Sequence, residues 1–205
     1  MKKMLFIITC SLMGLIKVNA QSKGDVELGL GLGLSLATVS TSNGESTSSR
    51  VTYNAVASGE YYFSDRWGVK AKLTYDNKGW KDGFIIDQDF NSFTTDFELS
   101  YITLPVMANW HFGSQRNWYL NFGPYVGFLT TAEDSELGMD LTEVFNTTDV
   151  GLAYGVGYKF RVADNIKLFA EVDGQSGFVS VFKKTEGETL RNSRASLNFG
   201  VLFDL

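Results

Sequence analysis

Cysteine is nearly missing from this 205-residue chain: the single copy, Cys10, falls within the first twenty residues. The remainder therefore holds neither a disulfide nor a thiolate metal site. Histidine is as scarce, with His111 alone, so serine–histidine catalysis and transition-metal sites built on clustered imidazoles have little to draw on. Only two prolines occur, Pro105 and Pro124. No run of about 18 apolar residues follows the N-terminal segment, which excludes a later transmembrane helix. Basic clusters are lacking too. With 18 basic against 23 acidic residues and a net charge of −5, the chain has no electrostatic footprint for nucleic acid. Aromatics make up 14%, too many for a disordered chain.

What is present begins with an export signal. Met1-Lys2-Lys3 is a short basic start, Met4 to Ile16 an apolar core too short to span a bilayer, and Val18-Asn19-Ala20 a small-residue site before Gln21. Residues 1–20 are read as a signal peptide cleaved after Ala20, with an uncleaved N-terminal anchor as the alternative. Thr9 before Cys10 does not suit a lipoprotein site. Cleavage removes Lys2, Lys3 and Lys17 and no acid, moving the charge from −5 to −8. Residues 21–205 are then one domain.

Period-2 alternation runs through almost all of that domain. Val26, Leu28, Leu30, Leu32, Leu34 and Leu36 share one face; Glu27, Gly29, Gly31, Gly33, Ser35 and Ala37 share the other. Such a run exceeds the ~5–6 residues of soluble strands and suits the ~9–11 tilted residues that cross hydrocarbon. Seven more segments repeat the pattern: Val51–Phe63, Trp67–Asn77, Phe97–Phe112, Trp118–Thr131, Asp149–Val162, Ile166–Phe178 and Asn192–Leu205. Their apolar sets, such as Trp67/Val69/Ala71/Leu73/Tyr75 and Trp118/Leu120/Phe122/Val126/Phe128, carry no charge. Ser64-Asp65-Arg66, Gly113 to Asn117 and Ala163-Asp164-Asn165 are tight turns. Long polar stretches at 41–50, 78–96, 132–148 and 179–191 alternate with them. This predicts an all-β, eight-stranded antiparallel up-and-down transmembrane β-barrel, its termini and short turns periplasmic and its long loops extracellular.

Composition separates this from a soluble barrel. The second face is rich in small residues, among them Gly29, Gly31, Gly33, Gly123, Gly151, Gly157 and Gly200, where a water-facing surface would favour long charged side chains. Glycine weakens a strand by roughly 0.5–1 kcal/mol relative to alanine, so a steric cause is expected: an eight-stranded lumen is only just wide enough for its own side chains. Phe63, Trp67, Trp110, Phe112, Trp118, Phe160 and Phe203 fall beside short turns or at the C-terminus, as an aromatic girdle would. Tyr53, Tyr75, Tyr101, Phe128 and Phe178 are expected near the opposite interface. At Pro105 and Pro124 a bulge or a break in pairing is expected.

The candidate site is a set of inward charges: Glu27, Glu60, Lys70, Lys72, Lys159, Arg161 and Glu171. Opposite charges in a narrow lumen should pair, because an uncompensated buried charge is expensive. The outcome is a salt-bridged plug or, in the alternative, a gate or narrow ion path. His111, next to a short turn, reads as an interfacial polar residue. The long loops carry Asp82, Asp87 and Asp89, then Glu133, Asp134, Glu136, Asp140 and Glu143. They read as a solvated acidic surface, or as oxygen ligands for a hard cation, without the EF-hand order. Asn43-Gly44 and Asp82-Gly83 are turn signals. Gly29-x-Gly31-x-Gly33 lies on a strand and is no nucleotide loop. Catalytic, cofactor and metal residues are not predicted.

Three stretches resemble the PorT-like outer-membrane β-barrel family of Bacteroidetes: Ser100-Tyr101-Ile102-Thr103-Leu104-Pro105-Val106, Trp118 to Gly127, and Asp149 to Gly157. Thr103 stands where that family usually has glutamate. The last residues, Asn198-Phe199-Gly200-Val201-Leu202-Phe203-Asp204-Leu205, resemble the final-strand signal read by barrel-assembly machinery, with Asn198, Gly200, Phe203 and Leu205 at its defining positions. The resemblance implies a small structural or interaction barrel in outer-membrane lipid, in an envelope or secretion complex with a protein partner. A narrow transport channel and a lipid-modifying enzyme are the alternatives.

Overall fold

A computed structural model describes residues 22–41, 47–86, 91–184 and 189–205. The expected signal peptide at 1–20, with Cys10, lies outside the described residues. Eight strands follow one another: β1 (Val26–Ser40), β2 (Arg50–Tyr62), β3 (Trp67–Ile86), β4 (Ser92–Phe112), β5 (Trp118–Asp134), β6 (Thr148–Ala163), β7 (Ile166–Gly177) and β8 (Arg191–Asp204). Each pairs antiparallel with the next, and β8 returns to β1 from Glu27↔Asp204 to Ser40↔Arg191, closing the barrel. Closure leaves no unpaired edge around the ring, the condition for crossing a bilayer with strands.

Residue type decides which face points where. Leu28, Leu30, Leu32, Leu34 and Leu36 are exposed on the outside, Leu32 at 70%, and Phe122, Tyr154, Leu168 and Phe199 continue that apolar surface around the ring. Burying one such side chain is worth about 1.5–3 kcal/mol, so a belt of them demands hydrocarbon rather than water. The predicted apolar faces are the observed ones.

The inward face explains its glycines. Tyr119 pairs across the ladder with Gly157, Tyr125 with Gly151, and Phe169 with Gly200. A Cβ on Gly157 would lie 2.3 Å from the Tyr119 ring, and one on Gly200 2.5 Å from Phe169. Each inward ring lies over a glycine of the neighbouring strand, filling the lumen and covering the exposed backbone.

At the short-turn end, outward aromatics form a nearly continuous arc. Trp67–Trp110, Trp110–Phe112, Phe112–Trp118, Trp118–Tyr158 and Tyr158–Phe160 have ring centroids 6.2, 5.0, 6.3, 4.9 and 4.6 Å apart. Among the aromatics expected at the opposite end, Tyr53, Tyr75, Phe128 and Phe178 are outward, but Tyr101 is buried inside. Its strand parity matches Thr103 and Pro105, and parity overrides the preference of tyrosine for an interface.

One further expectation needs correction. The stretch 78–96 is not simply a loop, since β3 runs to Ile86 and β4 starts at Ser92. Gly79, at φ +118°, and a register shift between Trp80 and Gly83 break the alternation there and hide the strands from a period-2 reading. At the prolines the expected break in pairing is observed, without a bulge. The β3–β4 ladder passes from Ala71↔Val106 to Thr74↔Thr103, and the β4–β5 ladder from Pro105↔Tyr125 to Ala108↔Phe122, each in unchanged register.

Gly157→Ala tests the packing of the inward rings. It should cost about 1–3 kcal/mol by displacing Tyr119. Gly59→Ala, whose Cβ would have its nearest neighbour at 3.6 Å, should stay within about 0.5 kcal/mol. Urea unfolding in micelles, read by heat-modifiable gel mobility, makes the comparison.

Candidate functional site: the charged lumen

Alternation on a closed ring sends the charges of every strand into one narrow space, where they stack in tiers. Nearest the short turns, Glu27 and Glu60 are direct cross-strand neighbours, a repulsive pair by itself. Lys159 resolves it. Its Nζ lies 2.5 Å from Glu27 Oε1 and 3.2 Å from Glu60 Oε2, and donates to the Tyr62 hydroxyl at 2.7 Å. Lys167 adds contacts of 2.9 Å to Glu27 and 2.6 Å to Asp204. His111 Nε2 stands 2.6 Å from Glu60 Oε1, and the Asn109 amide donates to the same oxygen at 2.8 Å.

The next tier centres on Glu171. Lys70 approaches it at 3.3 Å, Lys72 contacts its other oxygen, and the Asn121 amide donates at 3.0 Å. Lys72 also reaches Asp173 at 3.1 Å. Asp173 takes Arg194 at 3.0 Å, and Arg194 faces Asp76 at 3.3 Å. The Tyr119 ring joins the tiers, with Lys70 Nζ 4.6 Å and Lys159 Nζ 5.3 Å from its centroid. Higher still, Lys78 meets Asp149 at 3.0 Å, and the Tyr125 hydroxyl and Asn192 amide each donate to Asp149 at 3.1 Å.

Six cations (Lys70, Lys72, Lys78, Lys159, Lys167, Arg194) thus face six carboxylates (Glu27, Glu60, Asp76, Asp149, Glu171, Asp173). These twelve charges sum to zero and each has an opposite charge at contact distance, with Asp204 and Arg161 adding a further pair at the rim. Above the charges lies an apolar roof. Val39, Trp80, Phe97, Leu99, Tyr101, Ala132, Phe145 and Val181 are buried together. Trp80 stacks on Phe97 at 4.5 Å and Phe145 on Phe182 at 4.9 Å. Two long loops supply part of this roof and are tied to each other: the Asn146 side-chain amide donates to the Ser180 and Phe182 carbonyls at 2.8 and 3.0 Å.

All seven predicted charges belong to this system. Arg161 sits at its rim, half-buried, 3.6 Å from Asp204 and donating to the Asp164 carbonyl at 2.5 Å. Lys167, Asp76, Asp173 and Arg194 were readable by the same strand parity. Lys78 was hidden in the supposed loop. His111 needs correction: it is wholly buried rather than interfacial, because its parity aims it at Glu60. The acidic loop is partly structural, since Asp134 accepts the N–H groups of Glu136, Leu137 and Met139 and bends the chain after β5. Asn43, Gly44, Asp87 and Asp89 lie outside the described residues. In the last strand, Asn198 is buried inward, Gly200 lies beneath Phe169, and Phe203 and Leu205 are exposed.

A closed eight-stranded ring with an apolar belt and a charge-filled interior defines a transmembrane β-barrel. The family model for the outer membrane protein beta-barrel domain matches residues 19–183, and the chain belongs to that family. It is a small outer-membrane barrel. Solved structures with a similar fold include OprG of Pseudomonas aeruginosa, at 10% identity over 92% of this chain and 99% of that one, TM-score 0.56. The N-terminal barrel domain of OprF from the same organism is 15% identical, over 90% and 100%, TM-score 0.50. Ail, the attachment invasion locus protein of Yersinia pestis, is 16% identical, over 88% and 99%, TM-score 0.46. No curated protein matches the chain in sequence.

Lys72→Glu would put a third carboxylate against Glu171 and Asp173, and should destabilise the barrel by about 3–5 kcal/mol. Lys72→Met should cost less, because Lys70 still pairs with Glu171 and Arg194 with Asp173. Urea midpoints in micelles give the order.

Proposed function

We propose that this chain is a non-conducting, non-enzymatic outer-membrane anchor that presents its long loops to a protein partner of an envelope or secretion complex. The observation that carries this reading is the double closure of the lumen. A neutral column of paired charges lies beneath a roof of Trp80, Phe97, Phe145 and Val181. An ion entering the column would have to displace ion pairs whose separation costs about 3–5 kcal/mol for each partner removed. Enzymatic readings lose support because the one histidine is bound to Glu60 deep inside, away from any lipid.

The orientation we infer places both termini and the short turns in the periplasm and the long loops outside, as short and long connections are distributed in such barrels. Export would use residues 1–20 as a cleaved signal. Barrel-assembly machinery would read Asn198, Gly200, Phe203 and Leu205 in the closing strand. The outward belt contacts outer-membrane lipid, including a hollow of about 870 Å³ lined by Leu30, Leu32, Ala55, Ala57, Leu73 and Phe199.

Planar-bilayer recording of the purified full chain tests the closure. Insertion without resolved conductance steps is the expected outcome. Large, reproducible single-channel steps would establish a transport pore and overturn the anchor reading.

A further inference from the structure

Neighbouring strands of the barrel end at different heights on the long-loop side. β5 stops at Asp134, whose partner in β4 is Phe97. Ser135 still holds Asp96, through its N–H to the Asp96 carbonyl at 3.0 Å and its hydroxyl to the Asp96 N–H at 3.2 Å. Beyond that point the chain turns away into the capped bend of Asp134. β4 continues for Ser92, Phe93 and Thr94, which pair with Ile86, Ile85 and Phe84 of β3. On their other side no strand pairs with them among the described residues. In an antiparallel ladder, alternate residues turn their N–H and C=O groups away from the partner strand, so this is a strand edge ready to accept another.

Two features describe what would fit there. Phe93, 38% exposed, stands on the edge strand itself and offers apolar contact to a side chain of an added strand, while Phe84, 72% exposed, lies on β3 and on the opposite face of the ribbon. The ground around the edge is acidic. Glu136 is exposed beside it, its N–H donating to the Thr95 hydroxyl at 3.3 Å, and Glu133 is exposed further down β5, opposite Glu98. A second copy of this chain would bring the same carboxylates against each other, and like charges suppress such pairing.

We propose that the β4 edge at Ser92–Thr94 is a strand-addition site for an extended, lysine- or arginine-bearing segment of a partner protein. That segment continues the line β5 leaves at Asp134. Main-chain hydrogen bonds to the edge supply affinity, and the acids select the basic side chains. The inference rests on the reading of the chain as an interaction barrel and gives that partner a chemistry.

The test uses the full chain in phosphatidylcholine nanodiscs, whose neutral lipid does not attract a basic probe. Three short synthetic peptides are titrated: alternating lysine and valine, the same peptide with all backbone amides methylated, and alternating glutamate and valine. The lysine–valine peptide should bind. Methylation, which keeps the charge and removes the donors, should weaken binding about tenfold or more, and the glutamate peptide should not bind. The protein variant Glu133→Lys/Glu136→Lys, folded as judged by heat-modifiable mobility, should lose a similar factor. Failure of the lysine–valine peptide to bind would overturn the proposal, as would equal binding by the methylated or glutamate peptide or by the variant. None of these results bears on conductance, so a failed edge and a failed anchor reading remain distinguishable.

Discussion

Inward charges in a ring of eight strands have almost nowhere to go, and the rest of the structure answers that constraint. Lipid outside turns the charged side chains of the membrane-spanning wall toward the axis. The axis is narrow, so each charge must find its counter-charge within a side chain's reach. Glu27 and Glu60 face each other directly, and the barrel is consistent only because Lys159 arrives from β6, 99 residues after Glu60 and 132 after Glu27, to sit between them. The tier around Glu171 and Asp173 joins β3, β7 and β8 in the same way. Pairing across the lumen thereby ties strands that share no backbone hydrogen bond.

Space is shared out by the same rule. Where Tyr119, Tyr125 and Phe169 point inward, the neighbouring strand carries glycine. Those rings also shield the lysines, and Tyr119 lies between Lys70 and Lys159. Function follows from what remains uncommitted. With the interior charges paired and roofed, the features left over for contact are the outer belt, which suits lipid, and the upper ends of the strands and their loops.

Most of the barrel was legible because alternation is a local signal. The leucine face of β1, the girdle tryptophans and the short turns all follow from parity and turn residues. Parity also aims Lys167, Asp173 and Arg194 inward, so more of the charge column was readable than the seven residues nearest the short turns. His111 and Tyr101 show where residue-type preference misleads, since strand parity outweighed the affinity of both for interfaces. Other features leave no periodic trace. The roof brings Phe145 and Val181 from separate loops onto Trp80 and Phe97, contacts set by tertiary packing alone. The upper parts of β3 and β4 are masked by Gly79 and the shift after Trp80, which change the face of the chain in mid-strand.

The orientation of the two faces is the point on which everything else turns. Nuclear Overhauser spectroscopy of the full chain in lipid nanodiscs tests it directly, by recording which residues exchange magnetisation with acyl-chain protons and which with water. Acyl-chain cross-peaks at Leu30, Leu32, Leu34 and Phe199, and none at Tyr119, Tyr125 or Phe169, are the expected result. Water cross-peaks along the leucine row, or lipid cross-peaks at the three inward rings, would contradict it.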